Sequence, residues 1–582
     1  MAARSRWIRI SIAAIFAAIL YLPGLGRPAL WEPDEGRYAE IAREMAISGD
    51  LITPRDDYIR YFEKPPLVYW MEAAAIRVFG PTEFAVRLPA ALFSAGEVAV
   101  VCAIGDAMFG AAAGLLGAMA IALSPLVFAF ARFATLDPAL SFFLTAAIGC
   151  FFAASRAQTF GAGTGRRWML LASAMLALGT LCKGPVALVL GGAIALVWML
   201  VDHRARELWR IPFFSCVAVY LAIAGPWFAL AEHRNPGFLR FFFVHEHFER
   251  YTQSQEHGWG PWFFIPIVIG GAWPWLYFAV VGWIEVLRLP EAERPWMFSW
   301  VKLLATWFAV IVVFFSIPRS KLGSYILPAL PPIAILAGYG LARIPVSARD
   351  RMRVQWMRTT MRNFFAINLG AAAAACAVFA IIAHRLPHGL ALDGMIIAAL
   401  IAAGAAGAYA LARSETRDQF AIVPVAVAMI LVMGVAEHAR GEAEPTVSYR
   451  GLARTITPYL TPGCLLGSFR HYTQALPFYT GTRERPIEYW GELAEFADPG
   501  LERDAFIGSA ARFSQLWSSR CFVLVADKKD MPAILKTLPP DPKPIVIACE
   551  GKKLALYNGP PREGLPADCA PPVTSPSNAR PD

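Results

Sequence analysis

Six short clusters of ionisable residues border or interrupt long apolar stretches of this sequence. The first is Trp31-Glu32-Pro33-Asp34-Glu35-Gly36-Arg37-Tyr38. A carboxylate such as Asp34 can accept a proton or orient a hydroxyl or amine, and at a helix start it can equally serve as a cap. In Arg60-Tyr61-Phe62-Glu63-Lys64-Pro65-Pro66, Lys64 precedes a proline. Its backbone is therefore expected to be extended, leaving the ammonium to reach an anion such as phosphate; an ordinary solvated Glu63–Lys64 pair is the simpler alternative. Thr135-Leu136-Asp137-Pro138 and Cys182-Lys183-Gly184-Pro185 put one charge each at the end of an apolar run. There Asp137 could be a cap, and Lys183 could reach back to the interface. His245-Glu246-His247-Phe248-Glu249-Arg250 invites a metal reading, although its spacing matches no strong zinc signature. Arg319, Lys321 and Tyr325 lie within ten residues of one another and could hold a phosphate or anchor at the interface. Acids and cations together suit a substrate with an anionic group and a polar acceptor. The chain has no Walker loop, Rossmann glycine pattern or Gly-x-Ser-x-Gly elbow.

The elements that position these clusters are membrane helices. Of 582 residues, 57% are hydrophobic and 17% charged, with a mean hydropathy of +0.46; soluble domains carry roughly 25% charge. Runs such as 111–130 and 395–411 lack Asp, Glu, Lys and Arg. The sequence predicts about 13 spans, at 8–24, 84–108, 111–130, 136–155, 168–182, 184–201, 211–230, 261–287, 299–315, 322–340, 363–383, 390–411 and 418–436. The first run is read as a retained helix rather than a cleaved signal. With the N-terminus cytoplasmic, nineteen arginines fall on the cytoplasmic side, as the positive-inside rule requires. All six clusters then face outward, and so does the C-terminal region. The net charge of +9 belongs to this topology signal rather than to nucleic-acid binding. The first outer segment, 23–83, holds two amphipathic helices, 34–47 and 66–79, expected on the membrane surface.

From about residue 439 the composition changes. Strand-like runs at 464–469, 521–526, 544–548 and 553–557, with helical stretches at 446–460 and near Ile534, read as a small α/β domain. The expected division is a transmembrane domain over 1–438, a periplasmic α/β domain over 439–560 and a disordered tail over 561–582. Cys464, Cys521, Cys549 and Cys569 could form one or two disulfides outside the cytoplasm, and four cysteines allow three pairings.

Taken together, Asp34-Glu35-Gly36-Arg37-Tyr38-Ala39-Glu40, Arg60-Tyr61-Phe62-Glu63-Lys64-Pro65 and Tyr69-Trp70 resemble the first periplasmic loop of the bacterial 4-amino-4-deoxy-L-arabinose lipid A transferases. These belong to the GT-C class of membrane glycosyltransferases, with the oligosaccharyl- and protein-mannosyltransferases. Leu136-Asp137-Pro138, Lys183-Gly184-Pro185, the His245 cluster and residues 316–328 resemble the later motifs of that group. The likeness covers 31–332. It implies a polytopic helical fold of the inner membrane and an undecaprenyl-phosphate-linked sugar donor. It also implies transfer to lipid A phosphate, or a related envelope glycolipid, at the periplasmic face. By that likeness Asp34, Glu63 and Asp137 are the acids of the reaction centre, and Lys64, Arg250 and Tyr325 hold the donor phosphate. Arg37, Tyr38, Tyr61, Lys183, Arg319 and Lys321 are supporting residues, and Glu63 and His245 are the pair that could share a divalent metal. Transfer of another hexose or uronic acid to lipopolysaccharide core or protein is the nearest alternative. A lipid-linked sugar transporter is a third, disfavoured because the ionisable groups cluster at one face and no repeat is present.

Overall fold

The computed structural model describes residues 2–157, 160–249, 258–290, 294–344, 351–382, 388–414, 417–489, 491 and 505–560. The chain forms two units. One comprises Met1–Arg27, Leu51–Thr53 and Phe62–Glu442; the other comprises Pro28–Asp50, Pro54–Tyr61 and Ala443–Asp582. Segments of the first outer loop, expected with the transmembrane region, thus group with the C-terminal residues.

The first unit is helical. Chain order gives α1 (Ala2–Tyr21), then α2 (Asp34–Ser48) of the other unit, α3 (Leu67–Phe79), α4 (Glu83–Phe109), α5 (Ala111–Ala122) and α6 (Pro125–Ala131). α7 (Asp137–Arg156), α8 (Gly163–Lys183), α9 (Val186–Val201) and α10 (Phe213–Arg234) follow. Beyond these lie Phe264–Gly271, Trp275–Leu287, Arg294–Ser316, Leu330–Ala342, Arg351–Ile382, His388–Ala412 and Ile422–Glu442. Among the described residues, eight helices are long and apolar enough to cross a membrane, or ten if two bent pairs each count as one span. The runs expected at 8–24, 168–182 and 184–201 are helical, as α1, α8 and α9, but lie outside those eight.

Two expected continuous spans are broken. α5 and α6 meet at 64° and Pro261–Gly271 meets Trp275–Leu287 at 93°. Pro125 and Pro274 stand at these breaks, each removing a backbone donor that a continuous helix would use. Elsewhere glycines let helices touch. A Cβ at Gly338 would lie 2.3 Å from the Ala113 carbonyl oxygen and one at Gly340 2.1 Å from that of Phe278, so Leu330–Ala342 can pack on both neighbours only with glycine there. Buried charged groups such as Glu97 and Arg132 have partners inside the unit, as apolar surroundings favour. Glu97 on α4 accepts from Ser141 (2.6 Å) and Thr145 (2.9 Å) on α7. Arg132 donates to the carbonyls of Tyr21 (2.6 Å) and Pro23 (2.8 Å) and pairs with Glu437 (3.0 Å).

The second unit is built on a five-stranded mixed sheet. Its strands are β3 (Leu465–Phe469), β4 (Glu484–Ile487), β5 (Phe522–Asp527), β6 (Ile545–Glu550) and β7 (Lys553–Tyr557), in spatial order β4-β3-β5-β7-β6. β3 pairs in parallel with β4 and β5, while β7 runs antiparallel to β5 and β6. Strand alternation separates two apolar faces, Phe522 and Leu524 on one and Val523 and Val525 on the other. A disulfide joins Cys464 and Cys521 at the feet of β3 and β5; Cys549 is also disulfide-bonded, and Cys569 lies outside the described residues. The helical stretch expected at 446–460 is interrupted, as Glu444–Val447, Arg450–Ile456 and a final short turn.

The earlier segments of this unit are a two-stranded hairpin, β1 (Arg55–Asp56) and β2 (Ile59–Arg60), and α2. Asp57 and Tyr58 both have positive φ, 52° and 66°, as a two-residue turn matched to strand twist requires. α2, expected on the membrane surface, is packed within this unit. Residues 35–45 are all buried, and a Cβ at Gly36 would meet the Ala475 backbone nitrogen at 2.5 Å. α3 keeps one open face: Val68, Tyr69, Glu72, Ala73 and Ile76 are buried, while Val78 and Phe79 are exposed.

Candidate functional site

Within the first unit, two charge clusters sit where apolar helices begin or end. α7 begins at Asp137, with Pro138 in its first turn, and α8 ends at Lys183, where Gly184 (φ +84°) turns the chain. The Lys183 ammonium forms an ion pair with Asp137 and lies 4.3 Å from the centroid of the Tyr325 ring. Asp137 is buried and Lys183 nearly so. Lys183 is therefore paired inside the unit and is not a lone cation reaching back to the interface. It is the centre of an Asp137–Lys183–Tyr325 group. Tyr325 comes from the turn Gly323–Ala329 and also packs on Phe315.

The second cluster precedes α3, a helix that packs against α4 and α8. Lys64 pairs with Glu246, its Nζ lies 3.7 Å from a Glu63 carboxylate oxygen, and it donates to the Glu63 carbonyl at 3.2 Å. Glu63 and Glu246 are both buried. Glu246 belongs to a wide-pitched helical segment, Phe241–Glu249, and is not among the residues that the sequence assigns to the site. On a regular helix Glu246 is only a neighbour of His245, and nothing in the spacing marks it as the acid that meets Lys64. His245 is exposed, its ring 5.1 Å from that of Phe241.

Glu63 and His245, the pair that the resemblance offers for a divalent metal, both belong to the first unit. The Glu63 carboxylate faces an ammonium, and no group of three His, Cys, Asp or Glu among the described residues could hold an ion. Arg250 lies outside the described residues. Lys321 does not present its charge to a ligand: it is 2% exposed and donates to the carbonyls of Pro318 and Trp259, the latter at 3.1 Å. It straps the 318–321 turn to the backbone at 259. Arg319 is exposed, and its carbonyl accepts from the Trp259 N–H at 3.3 Å.

Within the second unit, Asp34 is half-buried and opens α2, directly after Pro33 at the N-cap. Arg37, Tyr38 and Tyr61 are buried, and the Arg37 guanidinium lies 6.0 Å from the Tyr61 ring centroid. Around them lies a set of buried acids that the sequence does not single out. Glu32 accepts from the backbone N–H groups of Gln474 (3.0 Å) and Ala475 (2.7 Å). Glu40 is bidentate to Arg43 at 2.7 and 2.6 Å, and Glu44 accepts from the Tyr58 N–H at 2.7 Å. Asp56 accepts from the Tyr472 hydroxyl at 3.1 Å, and Asp57 from the Glu484 N–H at 3.0 Å. Burial holds these carboxyls above their ordinary range: Glu32 is pushed up to about 7 and Glu484 to about 8. Asp56 is raised well above its ordinary value by burial, against the pull of Arg37. Asp57 is raised by burial and by the nearby Glu484. Asp56 ends β1 and Asp57 opens the hairpin turn, and both bond to residues more than 400 positions away in sequence.

Many helices, two charged helix-end clusters and a small mixed-sheet unit define a polytopic membrane protein of the GT-C type. A family model described as dolichyl-phosphate-mannose-protein mannosyltransferase matches residues 7–242. The arabinosyl transferase that uses undecaprenyl phosphate-alpha-4-amino-4-deoxy-L-arabinose in Pseudomonas aeruginosa is 32% identical over 417 residues, covering 66% of this chain and 67% of the relative. That of Yersinia enterocolitica is 33% identical over 333 residues, covering 56% and 58%. The chain thus spans 58% of the latter's length. The crystal structure of ArnT from Cupriavidus metallidurans bound to undecaprenyl phosphate superposes with a TM-score of 0.80 at 29% identity, covering 95% of this chain and 98% of that one. The apo form of the same protein gives 0.79. The chain belongs to the family of undecaprenyl phosphate-4-amino-4-deoxy-L-arabinose arabinosyl transferases.

Proposed function

We propose that this chain transfers 4-amino-4-deoxy-L-arabinose from undecaprenyl phosphate to a phosphate of lipid A, or of a related envelope glycolipid, at the periplasmic face of the inner membrane. The N-terminus is then cytoplasmic and the sheet-bearing unit periplasmic. The observation that carries this reading is the pairing of Lys64 and Lys183 with buried acids at helix ends, in a chain that aligns over 95% of its length with a relative holding undecaprenyl phosphate. In the reaction an acceptor oxygen attacks the anomeric carbon and the bond to the donor phosphate oxygen breaks. The electron pair leaves on undecaprenyl phosphate. A fixed ammonium beside that phosphate stabilises the departing charge, which is the role of Lys64, with Arg250 and Tyr325 as further donor contacts. A phosphate acceptor is already a nucleophile, so no base is needed for it; Asp34 then orients the sugar or its amine.

In its present arrangement Lys64 is held by Glu246 and Glu63, so a donor phosphate competes with Glu246 for the ammonium. Asp137 and Lys183 support the acceptor side. Mass spectrometry of lipid A from a deletion strain tests the reading. Loss of aminopentose-bearing species is expected; an unchanged lipid A profile overturns the substrate assignment, and altered core glycans or glycoproteins instead would favour another polyprenyl-linked sugar.

A further inference from the structure

At the end of the helical unit opposite to Asp137 and Lys183, a groove of about 660 Å³ opens between the N-terminal part of α1, the C-terminal parts of α4 and α7, and the start of α8. The direction of each helix places it: Asp137 begins α7 and Lys183 ends α8, whereas Arg156 ends α7 and Trp168 lies in the second turn of α8. The inner wall is apolar and shallow-featured, formed by residues such as Ala99, Ala103 and Ala146, which leave room that larger side chains would fill. The mouth differs. It carries Arg6 and Arg156, flanked by the exposed rings of Trp7 and Trp168. Aromatic residues of this kind mark the headgroup level of a bilayer.

Both arginines are held in place. Arg6 donates to the Ala103 carbonyl at 3.1 Å and Arg156 to the Ala107 carbonyl at 2.7 Å, the last turns of α4, where a helix favours cations. The Arg156 guanidinium also lies 5.6 Å from the Trp300 ring centroid. The acid at this mouth is Asp106, which Arg9 pairs at 2.8 Å and Arg6 approaches at 3.6 Å. Three arginines against one aspartate leave a net positive rim above an apolar trough. That combination complements a molecule with an anionic head and a hydrocarbon tail.

We infer that this groove is a binding site for an anionic phospholipid of the leaflet facing the α1 N-terminus, with its phosphate between Arg6 and Arg156 and an acyl chain along α4 and α7. It lies at the far end from the charged helix-end clusters and takes no part in sugar transfer. Each interfacial cation contributes about a 5-fold preference for an anionic lipid, so two predict roughly 30-fold.

The test is native mass spectrometry of the full chain, delipidated in mild detergent and titrated with phosphatidylglycerol and, separately, phosphatidylcholine. The wild type should bind one tightly retained phosphatidylglycerol at least 10-fold better than phosphatidylcholine. R6Q/R156Q should lose that selectivity while still binding either lipid weakly. Ala146→Phe, which fills the trough and keeps both arginines, should lose the retained lipid altogether. Unchanged melting temperature and monodispersity establish that each variant is folded. Equal affinity for the two lipids in the wild type, full selectivity in R6Q/R156Q, or a copurifying peptide in place of lipid would overturn the inference.

Discussion

Removing the Lys183 charge should damage this protein chiefly by what it leaves behind. Lys183→Met strands the Asp137 carboxylate, whose side chain is 8% exposed. Stranding one partner of a buried pair costs roughly 3–5 kcal/mol, and loss of the ammonium above the Tyr325 ring adds about 1 kcal/mol. Asp137→Asn strands the ammonium instead, at a similar cost. In Lys183→Met/Asp137→Asn neither charge remains, so the double variant should be less destabilised than the two single costs added together, with a coupling of roughly 2–3 kcal/mol. The assay is equilibrium unfolding of purified protein in mixed micelles, followed by tryptophan fluorescence. Costs that add to within about 0.5 kcal/mol would refute the reasoning, because the two groups would then not share a buried pair. Transfer activity gives a second readout. If the pair is only structural, the double variant regains activity along with stability; if either group meets the acceptor, stability returns without activity.

Glu484, about 8 in the folded protein against an ordinary 4.5, binds its proton more tightly when folded, so the second unit loses stability as pH rises between those values. The loss is on the order of 4–5 kcal/mol; hydrogen exchange of β3 and β4, corrected for intrinsic rate, should show lower protection at pH 8.5 than at pH 5, and Glu484→Gln should flatten the dependence. Cys464→Ala/Cys521→Ala opens a link across 57 residues, worth roughly 4 kcal/mol by chain entropy, and the same exchange experiment should register the loss in β3 and β5 while Leu330–Ala342 is unaffected. Lys64→Met should lower kcat/KM by about 10²–10³-fold, whereas Glu246→Gln, which removes the competitor for that ammonium, should lower the donor KM; a raised donor KM in Glu246→Gln would contradict the competition.

The membrane helices are legible in the sequence because a charge-free run long enough to cross the hydrocarbon core is the direct imprint of a lipid environment. Their breaks at Pro125 and Pro274 are legible only in part, since proline inside an apolar run need not bend a helix by tens of degrees; Pro89 and Pro226 sit inside continuous helices. Four of the five long strands follow from their apolar runs. β4 escapes because it contains Pro486, which an edge strand tolerates. In the site, Lys64, Asp137 and Lys183 are visible as charges beside apolar helices, but their partners are not. Which acid meets Lys64 depends on the wide pitch of the Phe241–Glu249 segment. Lys321 resembles a phosphate ligand in sequence and proves to be a backbone strap, a distinction made only by where its side chain turns. The buried acids of the second unit are assembled from segments at opposite ends of the chain, and no local pattern announces such a set.

The most direct measurement is transfer itself. Purified protein in detergent, supplied with undecaprenyl phosphate-linked 4-amino-4-deoxy-L-arabinose and lipid A and with no membrane gradient, should yield lipid A heavier by one aminopentose, and neither Asp34→Asn nor Lys64→Ala, each verified as folded, should support it. Unmodified lipid A from the wild type, or full transfer by both variants, would contradict the account.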